Sequence, residues 1–467
     1  MAVFDTIIRH GTVATASDTF KADVGIKNGR IVAIGEALTD ADEVVDASGK
    51  LVLPGGIDSH VHIAQPSGPG IVMADDFASA TRAAAFGGNS FVMPYCLQPK
   101  GAPLREALKD YHALAEGQCY VDHSFHCIVS DPTENVLGQE LPALIADGYS
   151  SIKVFMTYDD LVLSDRQILE VLSVARTSGA LVQIHAENYD AIRFLTDRLE
   201  QAGNTAPHFH GTSRPIVVER EATHRAISLA ELIDVPIVIV HVSNRAAMEE
   251  IQRAQMRGLK IKGETCPQYL VLTEDDMKGL GMEGAKYVCS PPPRDRESQE
   301  ACWEGLQQGI FTLFSSDHCP FRYQDEAGKL NPKGRTSFRW VPNGIPGIET
   351  RLPILFSEGV SKGRITLNQF VALTATNHAK TYSLPRKGSI AIGYDADIAI
   401  WDPERRRVLL QADLHHGADY TPYEGMDITG WPVSTMVRGR FIVRDGTLVG
   451  REGDGQYVTR EAQPAPG

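Results

Sequence analysis

The chain has 467 residues, 43% of them apolar and 22% charged, a composition in the ordinary globular range and a length too great for one small core. A net charge of −14 and a pI near 5.5 argue against phosphate-backbone binding, so nucleic acid is not an expected partner. Seven irregularly spaced cysteines without a CxxC pair, no basic-then-apolar leader in MAVFDTIIRHG and no apolar run of membrane-spanning length point to a cytoplasmic protein without a membrane partner.

The first fifty residues read as β structure. DTIIRHGTVAT is a strand with a turn, and VGIKNGRIVAIG is a hairpin around Asn28-Gly29, a strong turn pair. The middle of the chain alternates. Short β-branched, apolar runs occur at GGIDSHVH, NSFVMPY, HSFHCIV, SSIKVFM, LVQIHAE, PIVIVHV, KIKGETC and FTLFSSD. Between them lie helical patterns such as DRQILEVLSVARTSG and NRAAMEEIQRAQMRG, each closed by Gly. Eight strands with mostly helical connections predict an α/β fold, a (β/α)8 TIM-like barrel over 53–383 with its active face at the strands' C-terminal ends. GSIAIGYDADIAIWD and STMVRGRFIVRDGTLVG return to alternating strands with Gly turns. The two β-rich ends, 1–52 and 384–448, are expected to form one small β-sandwich domain. Residues 449–467 show no periodicity and are expected as a tail, loose or wrapped on a neighbouring subunit.

The polar residues of the eight runs fall in a pattern. Strand 1 ends in His60 and His62, strand 4 carries Lys153, strands 5 and 6 carry His185 and His241, and strand 8 ends in Asp317. Each alone has a structural explanation: a hydrogen-bonded core histidine, a snorkelling lysine, a helix cap. Together at one barrel mouth they are hard to explain as packing, because burying them without partners would cost several kcal/mol each. Divalent metals would satisfy them. Four imidazoles and one carboxylate exceed the three protein ligands of a single open site. Two metals about 3.5–4 Å apart fit better and need a bridging anion. Lys153 could supply one if its neutral amine took up CO2 as a carbamate, and burial and nearby cations favour that neutral amine.

The ordered set ADDFASATRAAAFGG (74–88), SIKVFMTY (151–158), QIHAEN (183–188), HVSN (241–244), ETCPQYL (264–270), CSPPPR (289–294), SSDHCPF (315–321) and PNGIPGIETR (342–351) resembles the dihydropyrimidinase/hydantoinase branch of the binuclear amidohydrolase superfamily. The resemblance runs from about residue 4 to about 448. It implies that His60, His62 and Asp317 hold one metal, that His185 and His241 hold a second, and that carbamylated Lys153 and a hydroxide bridge them. Zinc is the implied metal; the ligand set also admits manganese or cobalt. The implied reaction is hydrolytic opening of a cyclic amide or ureide, a dihydropyrimidine or 5-substituted hydantoin, to an N-carbamoyl amino acid. Tyr158 would donate to the developing oxyanion and Asp317 would carry the proton from water to the leaving nitrogen. Ser290 and Asn343 would hold the ring's N–C(=O)–N edge, largely through backbone groups. Relatives imply a homotetramer.

Other residues carry smaller expectations. Asp58 is placed to orient a ligand histidine. His208 and His210 repeat the HxH spacing in a Pro/Gly-rich stretch and read as loop surface. His318 should point away from Asp317's side, and Cys319 is not needed as a nucleophile. The first loop, IAQPSGPGIVM, is smaller and more polar than the bulky apolar loop of many hydantoinases. The Arg with which dihydroorotases bind a carboxylate is replaced by Ala64. Competing readings are a cyclic imide hydrolase or an allantoinase-like enzyme on the same centre. A further one is a non-catalytic scaffold such as the collapsin response mediators, which have lost ligands that this chain retains.

Overall fold

The computed structural model describes residues 2–462. Eight parallel strands form the barrel: β1 (Gly56–Val61), β2 (Asn89–Leu97), β3 (His126–Ile128), β4 (Ser151–Phe155), β5 (Leu181–His185), β6 (Ile237–Ile239), β7 (Ile261–Thr265) and β8 (Phe311–Phe314). They pair in chain order, with Cys127 opposite Cys96, Phe155 opposite His185 and Ile184 opposite Ile239. A parallel bridge between Val61 and His318 brings the last segment back to the first. The strands are buried along their length because helices cover them outside and side chains fill them inside, which is why they read as apolar runs rather than alternating ones.

The helices start and stop where their sequences say they should. Asp165–Ser178 begins on a capping box, Ser164 with Gln167, and ends at Gly179 with φ of 78°, a left-handed conformation that favours glycine. Arg245–Met256 is capped by the Asn244 side chain, which accepts from the Ala247 N–H at 3.0 Å. No helix among the described residues is long and apolar enough to cross a membrane.

The second unit interleaves the two ends of the chain. One sheet orders Arg30–Gly35, Asp23–Lys27, Phe4–Arg9 and Ala41–Asp46. The other includes Asp427–Val437, Ile398–Val408, Leu51–Pro54 and Thr12–Ala14 as neighbours. Ile8, Val24, Ile26, Val52, Ile398, Ile400 and Met436 pack between them as a sandwich core.

The tail differs from expectation. Up to residue 462 it docks on its own chain, beneath the N-terminal ends of β3 and β4. Arg460 is buried, donating from Nε to Ser124 Oγ at 2.9 Å, from Nη1 to Ser151 Oγ at 2.6 Å and from Nη2 to the Phe125 carbonyl at 2.5 Å. The Tyr457 ring stands 5.3 Å from that of Phe125 and 4.6 Å from that of His112. Specific side-chain anchoring, not an amphipathic period, holds the segment, so the sequence carries no periodic sign of it. Residues 463–467 lie outside the described chain.

Candidate metal centre

The six side chains expected at the barrel mouth converge there. His60 is the last residue but one of β1, Lys153 sits mid-β4 and His185 ends β5. His62, His241 and Asp317 lie one, two and three residues beyond the ends of β1, β6 and β8, so His241 sits past its strand rather than inside it. All six are buried.

They form two groups. His60 Nε2 and His62 Nε2 stand 3.1 and 3.5 Å from the same Asp317 oxygen, and one ligand atom from each of the three residues fits within 4.8 Å of the others. His185 Nδ1 and His241 Nε2 face each other at 2.9 Å. The rings of His60 and His241 lie 5.3 Å apart, which joins the groups. Lys153 Nζ lies 4.9 Å from the centroid of the Tyr95 ring and 5.2 Å from that of Phe155.

The remote nitrogens are held by acceptors. His60 Nδ1 donates to Glu264 Oε1 at 2.6 Å, His62 Nδ1 to Gln65 Oε1 at 2.8 Å, and His185 Nε2 to Glu187 Oε2 at 2.8 Å. Arg214 Nη1 reaches the same Glu187 oxygen at 2.7 Å. Each imidazole thus presents its other nitrogen, with a lone pair, to the interior, as a metal ligand requires. Lys153 Nζ is buried without a hydrogen-bond partner, and His60 Nε2 has only the Asp317 oxygen within reach; His241 Nδ1, the nitrogen turned away from His185, is also unpartnered. Buried polar atoms of a folded protein are seldom left so, and a divalent cation fits the donor set of imidazole and carboxylate.

Electrostatics favour the ligand forms of Lys153, His185, His241 and Asp317, whereas at His60 burial and Lys153 are outweighed by Glu264 and Asp317, which raise its pKa. Burial pushes the Lys153 ammonium down to about 8, against the opposing pull of Glu264 and Asp317, so the neutral amine is accessible. Burial pushes His185 down to about 4 and His241 well below the usual imidazole range. Burial alone would raise the Asp317 carboxyl, but His60 and His62 outweigh it and hold the group well below the usual carboxylate range. Asp317, His241 and Tyr158 have φ of 51°, 40° and 72°. Three non-glycine residues in the left-handed region at one site mark backbone strain held by the surroundings.

Tyr158 follows β4. Its ring packs edge-on to His185 at 5.3 Å, Arg214 lies 5.5 Å over its face, and its hydroxyl contacts Ser290. Burial raises the phenol, so it stays a proton donor. Ser290 and Asn343 line the same cavity of about 590 Å³, together with Gln65, Phe155, Leu161 and Trp340. Lys329 ties their two segments together, donating to the Val288 carbonyl at 2.7 Å and the Pro342 carbonyl at 2.6 Å.

Several expectations change. The carboxylate on His60 is Glu264, not Asp58. The Asp58 side chain meets the backbone of His60, not its ring: it accepts the His60 N–H at 3.4 Å and the Ser316 N–H at 3.1 Å, and pairs with Arg351 at 3.6 Å. The β1–β2 ladder is irregular between Asp58 and Val61, so strict strand alternation does not carry through. His210 is not loop surface: it is buried in the helix Phe209–Ser213, its Nε2 2.9 Å from the Cys289 carbonyl and 3.2 Å from Ser290 Oγ. His318 turns away as expected, and its Nε2 lies 3.1 Å from Asp75 Oδ2. Glu264, Glu187, Arg214 and Lys329 were not singled out from sequence. Of these only Glu264 carries a signal, an ionisable group at the C-terminal end of a barrel strand.

Comparison with known proteins agrees with this architecture. A model of the Amidohydrolase family matches residues 51–442. A D-hydantoinase of Geobacillus stearothermophilus is 47% identical, the alignment covering 97% of this chain and 96% of that protein. A D-hydantoinase of Rhizobium radiobacter is 44% identical, covering 98% and 99%. The crystal structure of a dihydropyrimidinase from Brevibacillus agri superposes with a TM-score of 0.96 at 44% identity, covering 99% of this chain and all of that one. The chain belongs to the amidohydrolase family, in its hydantoinase/dihydropyrimidinase branch.

Proposed function

We propose that this chain is a metal-dependent hydrolase that opens dihydropyrimidines and 5-substituted hydantoins to N-carbamoyl amino acids. The chemistry is hydrolytic ring opening of a cyclic amide. The observation that carries the reading is the convergence of His60, His62, Lys153, His185, His241 and Asp317 on one cavity with buried nitrogens left unpartnered.

His60, His62 and Asp317 would hold one divalent cation, His185 and His241 a second, with Lys153 between them as a carbamate. The two cations, zinc first, would supply an acidified water and a polarised substrate carbonyl. The carbamate forms when the neutral Lys153 amine adds to CO2 and releases a proton. Glu264, Gln65 and Glu187 hold the ligand imidazoles in the tautomers that serve. Asp317, anionic at neutral pH, takes the proton of the attacking water and returns it to the leaving ring nitrogen. The Tyr158 hydroxyl donates to the oxygen on which charge develops. Backbone groups of Ser290 and Asn343 hold the ring's N–C(=O)–N edge, and Phe155, Leu161 and Trp340 give the cavity its apolar walls. The partner is thus a small molecule. Seven free cysteine thiols support a reducing cytoplasm. A homotetramer completes the proposal and is checked by sedimentation.

The test is turnover of dihydrouracil, 5-substituted hydantoins, allantoin and phthalimide by zinc- and bicarbonate-loaded protein, with Lys153→Ala as control. Opening of the first two, lost in Lys153→Ala together with incorporation of isotope-labelled bicarbonate, supports the assignment. Preference for allantoin or phthalimide moves it to the allantoinase-like or imide reading. A protein that retains no metal and opens no ring contradicts it.

A further inference from the structure

Lys329 is a fully buried lysine that pairs with no carboxylate among the described residues. Burial pushes its ammonium down to about 7, and only the thiols of Cys289 and Cys319 pull the other way. Either form, ammonium or amine, has hydrogens for two acceptors. The turn that carries it follows Asp317 and is closed by the Lys329 N–H on the Arg322 carbonyl at 2.8 Å and the Leu330 N–H on the Tyr323 carbonyl at 3.2 Å. From there Nζ donates to the Val288 carbonyl at 2.7 Å, two residues before Ser290, and to the Pro342 carbonyl at 2.6 Å, one residue before Asn343. The Val288 carbonyl also accepts the Gly344 N–H at 3.0 Å. The segments of Ser290 and Asn343 thus meet at one knot, and Lys329 is its centre.

The knot leaves a single backbone donor on the second segment. Pro342, Asn343 and Gly344 all line the cavity. Pro342 has no N–H, the Gly344 N–H is taken by Val288, and the Asn343 N–H has no acceptor among the described residues. That N–H belongs to the same peptide unit as the Pro342 carbonyl. The unit is trans, so its N–H points away from Lys329. A hydrogen bond at the carbonyl end polarises the unit and strengthens the donor at the other end.

We propose that Lys329 is a positioning residue for ring opening: it fixes the spacing of the Ser290 and Asn343 segments and strengthens the Asn343 N–H as donor to the ring carbonyl that lies between the two nitrogens. This rests on the ring-opening reading above. Lys329 touches no substrate itself and acts through the peptide unit that does.

The test uses a pair of rings that differ at one atom, a 5-substituted hydantoin and its 2-thio analogue, whose sulfur is a weak hydrogen-bond acceptor. The readout is the ratio of kcat/KM for the oxygen ring to that for the sulfur ring, each variant divided by wild type so that the intrinsic reactivities cancel. Lys329→Met matches the side chain in length and removes both donations. It should keep its zinc, raise KM for the oxygen ring and lower the ratio about tenfold. Lys329→Gln, whose shorter neutral amide reaches one carbonyl, should lower the ratio about threefold. A wild-type ratio in Lys329→Met overturns the proposal, and so do equal losses on both rings, which a merely structural lysine would give. Should Lys329→Met fail to fold, Lys329→Gln decides: a lowered ratio supports the proposal and a wild-type ratio overturns it. A wild-type protein that opened neither ring would bring down the functional reading and this proposal with it, whereas a failure of the proposal alone leaves ring opening intact.

Discussion

Replacing Glu264 by Gln tests whether the carboxylate at the end of β7 sets up the metal centre. Glu264 is fully buried and accepts three hydrogen bonds: from His60 Nδ1 at 2.6 Å, from the His241 N–H at 3.2 Å and from Ser315 Oγ at 2.8 Å. Two converge on Oε1. A Gln amide oxygen can take both, while its NH2 meets the Ser315 hydroxyl, which can rotate to accept. Shape and pairing survive, and only the charge behind His60 is lost. Losing such an outer partner of a ligand histidine weakens metal binding by about 10–100-fold, or about 1.4–2.8 kcal/mol. Glu264→Ala is different in kind. It leaves three buried donors unpaired at about 1–3 kcal/mol each, a sum comparable with the stability of a whole domain. The assay pairs chelator competition for zinc with urea denaturation of the metal-free protein. Gln should release zinc early at near-normal apo stability, and Ala should lose both. A Gln variant with the wild-type chelator profile would refute the role given to Glu264.

Tyr158→Phe should lower kcat about 10²–10³-fold while leaving bound metal unchanged, as measured by steady-state kinetics beside metal analysis. Equal loss of metal would mean that the ring, not the hydroxyl, matters. The metal-free protein should lose stability as pH falls from about 6.5 toward 3–4. Burial holds His123 and His416 down to about 4 and His210 and His378 down to about 3. Across that window the unfolded chain binds more protons than the folded one, so stability rises with pH. A flat urea midpoint between pH 4 and 6 would contradict this. Truncation after Gly455 removes Tyr457 and Arg460 and takes the Arg460 donor from the Ser124 hydroxyl, while Ser151 keeps His126. It should cost about 3 kcal/mol or more in chemical denaturation, and an unchanged midpoint would show that the docked tail contributes nothing.

The barrel was legible because each strand is a short apolar run bounded by turn residues, and the connecting helices announce their caps. The ligands were legible because an ionisable group at the end of such a run has few structural reasons to be there. Glu264 was harder: KIKGETC holds three charged residues, and only the fold shows Lys260 exposed, Lys262 partly exposed and Glu264 inside. Arg214, Lys329 and His210, the last on the short helix Phe209–Ser213, act on partners that no local pattern specifies. Their partners lie 27, 41 and 79 residues away in sequence.

The sandwich unit makes the order of synthesis matter. Leu51–Pro54 pairs with Ile398–Val408, and Lys50 reaches Asp402, 352 positions on. At about 5–20 residues per second, a ribosome needs roughly 20–70 s to make that partner. Through that interval the early strands have emerged with an apolar face and an open edge, so newborn chains depend on holding factors more than the finished enzyme does.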